Sequence, residues 1–254
     1  MMVSIVNYKS MECPPILVFE SLDDMALKAL QWLSEKTSDQ KRGTVSVALS
    51  GGNTPQALFE RLVKLDKGTV DWNKLLIFWG DERCVPPEHT DSNFRSAKKS
   101  ILTPLDIPEE HIFRIHGESE PEMEAERYSK ILAETLPILN GVPQFDLILL
   151  GLGEDGHTAS IFHGDKYLFA STQYCAVSKH PKSGQQRITL TGSVINHAAE
   201  VMFLVTGTPK ARIVSEIAET PELTNYPAAK VAPITGKLTW LLDKGSASEL
   251  KPKN

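Results

Sequence analysis

Asp155 and His157 stand two residues apart in the run FDLILLGLGEDGHTASIF, Phe145 to Phe162, and form the pair in this chain best suited to moving a proton. An imidazole gives or takes a proton near neutral pH, and a carboxylate beside it can orient the ring and support its charged form. The task that fits such a pair is proton transfer, the plainer reading of His157 being a buried, hydrogen-bonded ring with a structural role only. Asp155 has a plainer role open to it, capping a turn through an Asx-type hydrogen bond. Gly151, Gly153 and Gly156 strip Cβ atoms from the loop, so its backbone can turn tightly and a ligand can approach its amides.

A second set of residues suits an anion. Ser50, Gly51, Gly52, Asn53 and Thr54 make a strand-to-helix turn whose amides and hydroxyls could cradle a phosphate, or could simply be a glycine turn with a good cap. Thr206 to Lys210 repeats the device and adds a cation, and two such helix starts support a phosphate-bearing ligand more than either alone, although Lys210 also fits a surface lysine in a cap region. Arg83 follows two acids at a strand end, and Arg187 opens a later strand. Arg83 is an anion clamp or one member of a structural ion-pair network, and Arg187 an anion ligand or a solvated charge flanking a strand.

Other chemistries find less support. Gly151 to Gly156 matches the dinucleotide fingerprint GxGxxG in form, but no acid lies about 20 residues further on to hold a ribose. No GxSxG elbow and no HExxH set occurs, and His163 with Asp165 lacks metal-ligand spacing. Cys84 beside Arg83 reads as incidental, because no histidine adjoins it.

Strands and helices must bring these groups together. Apolar runs predict strands at Ile16 to Phe19, Thr44 to Leu49, Leu75 to Trp79, Phe145 to Leu150, Tyr174 to Val177, Arg187 to Leu190 and Glu200 to Val205, with a brief one at Phe113 to Ile115. Helical spacing predicts helices from Ser21, from Thr54 to Leu65, Asn93 to Leu102, Glu122 to Leu139, Thr208 to Ala218 and Thr235 to Leu242. Thr54-Pro55 and Thr208-Pro209 read as capped helix starts, with the hydroxyl as cap and proline at the first helical position. Alternating strands and helices imply an α/β fold, a doubly wound and mainly parallel sheet with helices on both faces.

Composition sets the outer bounds. A chain of 254 residues with 41% apolar and 23% charged residues suits one globular domain spanning 1–254. A net charge of −5 argues against nucleic acid as a partner, since phosphate-backbone binding needs a broad basic face. The N-terminal MMVSIVNYKSMECPP lacks the apolar core of a secretory signal, no segment is long enough to span a bilayer, and KPKN is no lipidation signal. Cys13, Cys84 and Cys175 carry no metal or disulfide pattern, so a reducing, cytoplasmic setting is expected. The oligomeric state is not legible.

Taken together, SGGNTP, the DER of Asp81 to Arg83 with the DSN of Asp91 to Asn93, GLGEDGHTASIF, RITLT at Arg187 to Thr191 and TGTPKA resemble the 6-phosphogluconolactonase family from Ile16 to Leu242. The resemblance implies hydrolysis of 6-phospho-D-glucono-1,5-lactone in the oxidative pentose phosphate pathway, with neither metal nor organic cofactor. It implies that His157 is the general base and Asp155 its supporting acid. It also implies that the Ser50 to Thr54 loop, Gly153, Arg83, Arg187 and Lys210 form the substrate and phosphate shell. Two departures stand out, a longer segment from Lys179 to Gln186 and Ser246 in place of a common alanine. Glucosamine-6-phosphate deaminases share the fold but carry an aromatic residue where Arg83 stands and Asn-Glu-Pro where this chain has Ser160-Ile161-Phe162. Sugar-phosphate-sensing regulators are similar too, but add a basic helix-turn-helix that this chain lacks.

Overall fold

The computed structural model describes residues 14–41 and 43–251, so the stretch read for a secretory signal up to and including Cys13, and the last three residues, lie outside the described part. In chain order the strands are β1 (Ile16–Phe19), β2 (Val45–Leu49), β3 (Leu75–Trp79), β4 (Asp81–Arg83), β5 (Ile138–Leu139), β6 (Val142–Pro143), β7 (Leu147–Gly151), β8 (Cys175–Lys179), β9 (Gln186–Leu190), β10 (Glu200–Val205) and β11 (Lys237–Asp243). The α-helices are α1 (Leu22–Ser38), α2 (Asn53–Leu65), α3 (Asn93–Ala97), α4 (Pro121–Thr135), α5 (Gly192–His197) and α6 (Ala211–Glu219).

Six strands form one parallel sheet in the order β1-β11-β10-β7-β2-β3. Every residue of β2 and the first four of β7 are buried, as expected of strands covered on both faces, which is why they read as near-continuous apolar runs. From β2 the chain passes outward to β3, and from β7 outward the other way to β10. The β2/β7 seam is therefore the switch point, where a crevice opens at the strands' carboxyl ends.

A second, antiparallel sheet, β4-β9-β8, stands beside this crevice. Only Gly80 separates β3 from β4, and its carbonyl accepts from the Leu190 amide at 2.8 Å, so the small sheet is fastened to the large one. The strands expected around 174–177 and 187–190 exist, but they belong here and not to the parallel sheet.

Three expected elements are corrected. The segment Thr235 to Leu242 is not a helix. Lys237–Asp243 is β11, paired in parallel with both β1 and β10, and Trp240 stacks on Phe203 at 4.0 Å. The helix expected to reach Leu139 ends at Thr135, because Pro137 cannot continue it, and Ile138–Leu139 turns through Asn140-Gly141 into a short hairpin. Phe113 to Ile115 is not a strand. The contact with β3 is a single bridge, Ile77 to Ile112, with the Phe113 amide donating to the Ile77 carbonyl at 2.8 Å. Asn93 to Leu102 is helical as expected, α3 passing into a wider π turn at Lys98–Leu102.

The two Thr-Pro starts also differ from expectation. Gly52 and Gly207 occupy the cap positions, and neither receives a side-chain capping bond. Proline sits in the first turn each time, but the Thr54 hydroxyl bonds to the Thr206 hydroxyl at 2.6 Å instead. That bond ties the loop after β2 to the loop after β10.

Candidate functional site

The crevice is a cleft of about 520 Å³ at the strands' carboxyl ends. It is lined by Ser50, Gly51, Gly52, Asn53, Thr54, Arg83, Gly153, His157, Arg187 and Lys210, so five segments far apart in sequence converge on it. Of the residues expected to act in catalysis or binding, Asp155 alone is not in the wall. It stands on the far side of the His157 ring.

The Asp155 Oδ1 lies 2.5 Å from His157 Nδ1 and also accepts the His157 amide at 3.2 Å. A carboxylate can only accept, so Nδ1 carries the proton and Nε2 keeps its lone pair for the cleft. Burial alone would raise the Asp155 carboxyl. The hydrogen bond from the His157 ring, its charge and its amide together outweigh burial and hold the group below its ordinary value. The His157 side chain is 25% exposed, enough for water to reach it. Its ring also rests against Phe162, with centroids 4.8 Å apart. Gly153 is needed for this packing, since a Cβ there would lie 2.1 Å from Nδ1 and 2.6 Å from the Asp155 carboxylate.

On the opposite wall Arg83 and Arg187 face each other across one rung of the β4–β9 pair. Like charges so placed repel. The Arg83 Nη1 donates to the Asp91 carbonyl, but the Nε groups of both arginines are buried without a partner. Burial, and then the charge of Arg83, lowers the Arg187 guanidinium below its ordinary value. Two adjacent guanidinium groups, each with a buried Nε donor left unused, suit an anion.

Lys210 adds a third cation. Its side chain is 18% exposed, its amine lies 4.0 Å from the largely exposed Glu154, and burial lowers its pKa. The Gly207 turn before it is held by Asp243, whose two carboxylate oxygens each accept the Gly207 amide at 3.0 Å. Ser246, fully buried, donates its hydroxyl to the Val205 carbonyl at 2.9 Å and its amide to Asp243 at 2.7 Å. A side-chain oxygen thus works in the place where the resemblance leads one to expect alanine.

The hydroxyls of Ser50 and Thr54 do not point to a ligand as expected. Ser50 donates to the Leu149 carbonyl at 2.7 Å, and Thr54 is engaged with Thr206. What this loop offers an anion is the free first-turn amides of α2.

Sequence reasoning left Asp81, Glu82 and Asn93 without roles, although their motifs were noted. Glu82 is buried and accepts the amides of Arg83 and Asn93 at 2.7 Å each, the Phe94 amide at 2.8 Å and the Ser92 hydroxyl at 3.0 Å. Burial pushes its carboxyl up against the pull of those amides. Asp81, in the cleft wall, accepts from Ser160 at 2.7 Å, and Asn93 donates to the Asp81 carbonyl at 2.9 Å. Asn93 also abuts Gly51, where a Cβ would lie 1.8 Å from its Oδ1. These groups bolt the Arg83 strand to the Gly51 and His157 loops.

Among the described residues no group of three or more His, Cys, Asp or Glu side chains is arranged to hold a metal ion, and no helix is long and apolar enough to cross a membrane. Burial, and then the charge of Glu82, pushes the Cys84 thiol up to about 11.

The family model described as glucosamine-6-phosphate isomerases/6-phosphogluconolactonase matches residues 20–240. A 6-phosphogluconolactonase of Haemophilus influenzae is 43% identical over 204 residues, 80% of this chain and 86% of that protein. Among solved structures, 6-phosphogluconolactonase from Trypanosoma brucei superposes with a TM-score of 0.83 at 31% identity, covering 94% of this chain and 99% of that one. A monomeric glucosamine-6-phosphate deaminase shares the fold, with a TM-score of 0.77 at 18% identity over 92% of this chain and 99% of its own.

Proposed function

The chain belongs to the glucosamine-6-phosphate isomerase/6-phosphogluconolactonase family, and from that premise we propose how it hydrolyses 6-phospho-D-glucono-1,5-lactone to 6-phospho-D-gluconate. The observation that carries the reading is the meeting, in one cleft, of a carboxylate-held imidazole and two half-buried arginines whose buried Nε donors are unused.

His157 Nε2 takes a proton from a water as that water adds to the lactone carbonyl. The charge formed on Nδ1-protonated His157 is supported by Asp155, which stays ionised because its pKa is depressed. The carbonyl oxygen gains negative charge in this step, and free amides and cations around the cleft offset it. The tetrahedral species then expels the ring oxygen, which receives the proton from His157, leaving the acid and a neutral imidazole. A lactone is an activated ester, so no covalent nucleophile is required.

Arg83, Arg187 and Lys210, with the amides of the Ser50 to Thr54 loop and Gly153, hold the phosphate and ring so that water meets the carbonyl along one path. The phosphorylated lactone is the small-molecule partner, and the charge balance disfavours nucleic acid. The chain acts as one α/β domain in the cytoplasm.

A coupled assay tests this reading. With freshly generated phosphogluconolactone the protein releases acid above the spontaneous rate, and with glucosamine 6-phosphate it releases no ammonia. Ammonia release with no acceleration of lactone opening would assign the deaminase reaction instead.

A further inference from the structure

The loop that carries His157 is braced from its outer side by residues that do not line the cleft. His163 Nε2 lies 2.6 Å from the Asp155 carbonyl oxygen. A carbonyl can only accept, so Nε2 is the donor, and the bond forms whether the ring is neutral or charged. The His163 ring meets Tyr226 edge-on, with centroids 6.0 Å apart. Tyr226 covers Gly156, whose φ is +79° and where a Cβ would lie 2.2 Å from Tyr226 Cδ1. The Ala228 amide donates to the Gly156 carbonyl at 3.0 Å, and the Tyr226 hydroxyl donates to Glu216 of α6 at 2.5 Å. The two residues immediately before His157 are thus clamped, one by His163 and one by the Tyr226 turn. Through Glu216 the clamp reaches the helix that follows Lys210.

We propose that His163 and Tyr226 are positioning residues for the hydrolysis, holding the backbone of Asp155 and Gly156 so that the His157 ring sits at a fixed height over the lactone carbonyl. The proposal rests on the assignment of His157 as the base. Neither residue touches substrate. Their effect runs through the placement of the Asp155–His157 pair, to which turnover is sensitive because a misplacement of about 1 Å can cost about 100-fold in rate. The same clamp ties the base to α6, so the element that presents Lys210 and the loop that presents His157 keep a constant separation.

The test compares two substitutions at the exposed His163. His163→Phe keeps the ring and its contact with Tyr226 but removes the donor, whereas His163→Gln returns an N–H at similar reach. His163→Phe is expected to lower kcat about 3-fold to 10-fold, the range of one net hydrogen bond, with KM and Tm near wild type and recovery in His163→Gln. Wild-type kcat in His163→Phe, a loss that follows a fall in Tm, or a loss that His163→Gln does not restore would overturn the proposal. His157→Asn in the same series keeps the two readings separable. If it is inactive while His163→Phe is unchanged, the clamp fails and the base stands, and if it is active the base assignment falls and takes the clamp with it.

Discussion

Arg83 and Arg187 face each other across one rung of the cleft wall, and in the function proposed above the substrate's phosphate offsets their repulsion. Loss of one charge-assisted bond to phosphate removes about 1.5 to 3 kcal/mol, or about 10-fold to 150-fold in affinity. Arg83→Ala or Arg187→Ala should therefore raise KM by that order while part of kcat survives, and an unchanged KM in both variants would remove them from the phosphate shell. His157→Asn belongs to the other class. It should lower kcat by about 10²-fold to 10⁴-fold with little change in KM, since general-base help is a transition-state effect. Steady-state rates corrected for spontaneous opening decide this, and near-wild-type turnover would make His157 structural. At this scale residue type alone singled out Asp155, His157 and the two arginines, which the fold brings to one cleft or, for Asp155, to hydrogen-bonding distance of its wall. The sequence was silent on Glu82, whose work depends on amides supplied about ten residues later by a turn that only the fold creates.

Elements bring these side chains to one place by close backbone approach. The His157 loop packs on Gly153 so tightly that Gly153→Ala must displace the imidazole or the loop. That variant should lose most turnover while its circular dichroism stays native, and an active Gly153→Ala protein would show that the ring has room to move. The parallel strands were legible because burial on both faces writes them as apolar runs. β11 was misread although Leu238, Trp240 and Leu242 alternate, because a short apolar run fits either period and only pairing with β1 and β10 decides. The end of α4 was in fact written in the chain, as Pro137 and Asn140-Gly141, and those turn signals outrank the apolar spacing that suggested a longer helix. β4 carried no strand signal at all. Asp-Glu-Arg becomes a strand only because β9, about a hundred residues on, supplies its partner.

For the whole molecule, the depressed pKa of Asp155 is one contribution to how folding responds to pH. A carboxyl whose folded pKa lies below its unfolded value contributes stability that is fully present above the unfolded pKa and is lost as pH falls through the folded one. In the mechanism proposed above the base must be neutral before water attacks, so kcat/KM is expected to fall on acidification. On acidification the protein should therefore lose kcat/KM before it loses structure, which parallel rate and circular dichroism titrations can follow. Coincident loss of both would mean that unfolding and not the base limits activity at low pH. The cleft itself lies where the chain winds away from β2 and β7 in opposite directions, so no strand crosses it. The Thr54–Thr206 bond is a tie across the gap.

Cys84 lies next to Arg83, a position that invites the thought of a vulnerable thiol. With its pKa pushed up to about 11, it is almost wholly protonated at neutral pH, and the thiol form is slow to react with peroxide or alkylating agents. Buried Cys175, pushed up to about 12, is in the same condition. The cleft should thus keep working under oxidant stress that silences thiolate enzymes, and activity should persist after incubation with iodoacetamide at neutral pH. Rapid inactivation that substrate prevents would show that the Cys84 sulfur is exposed and ionised after all.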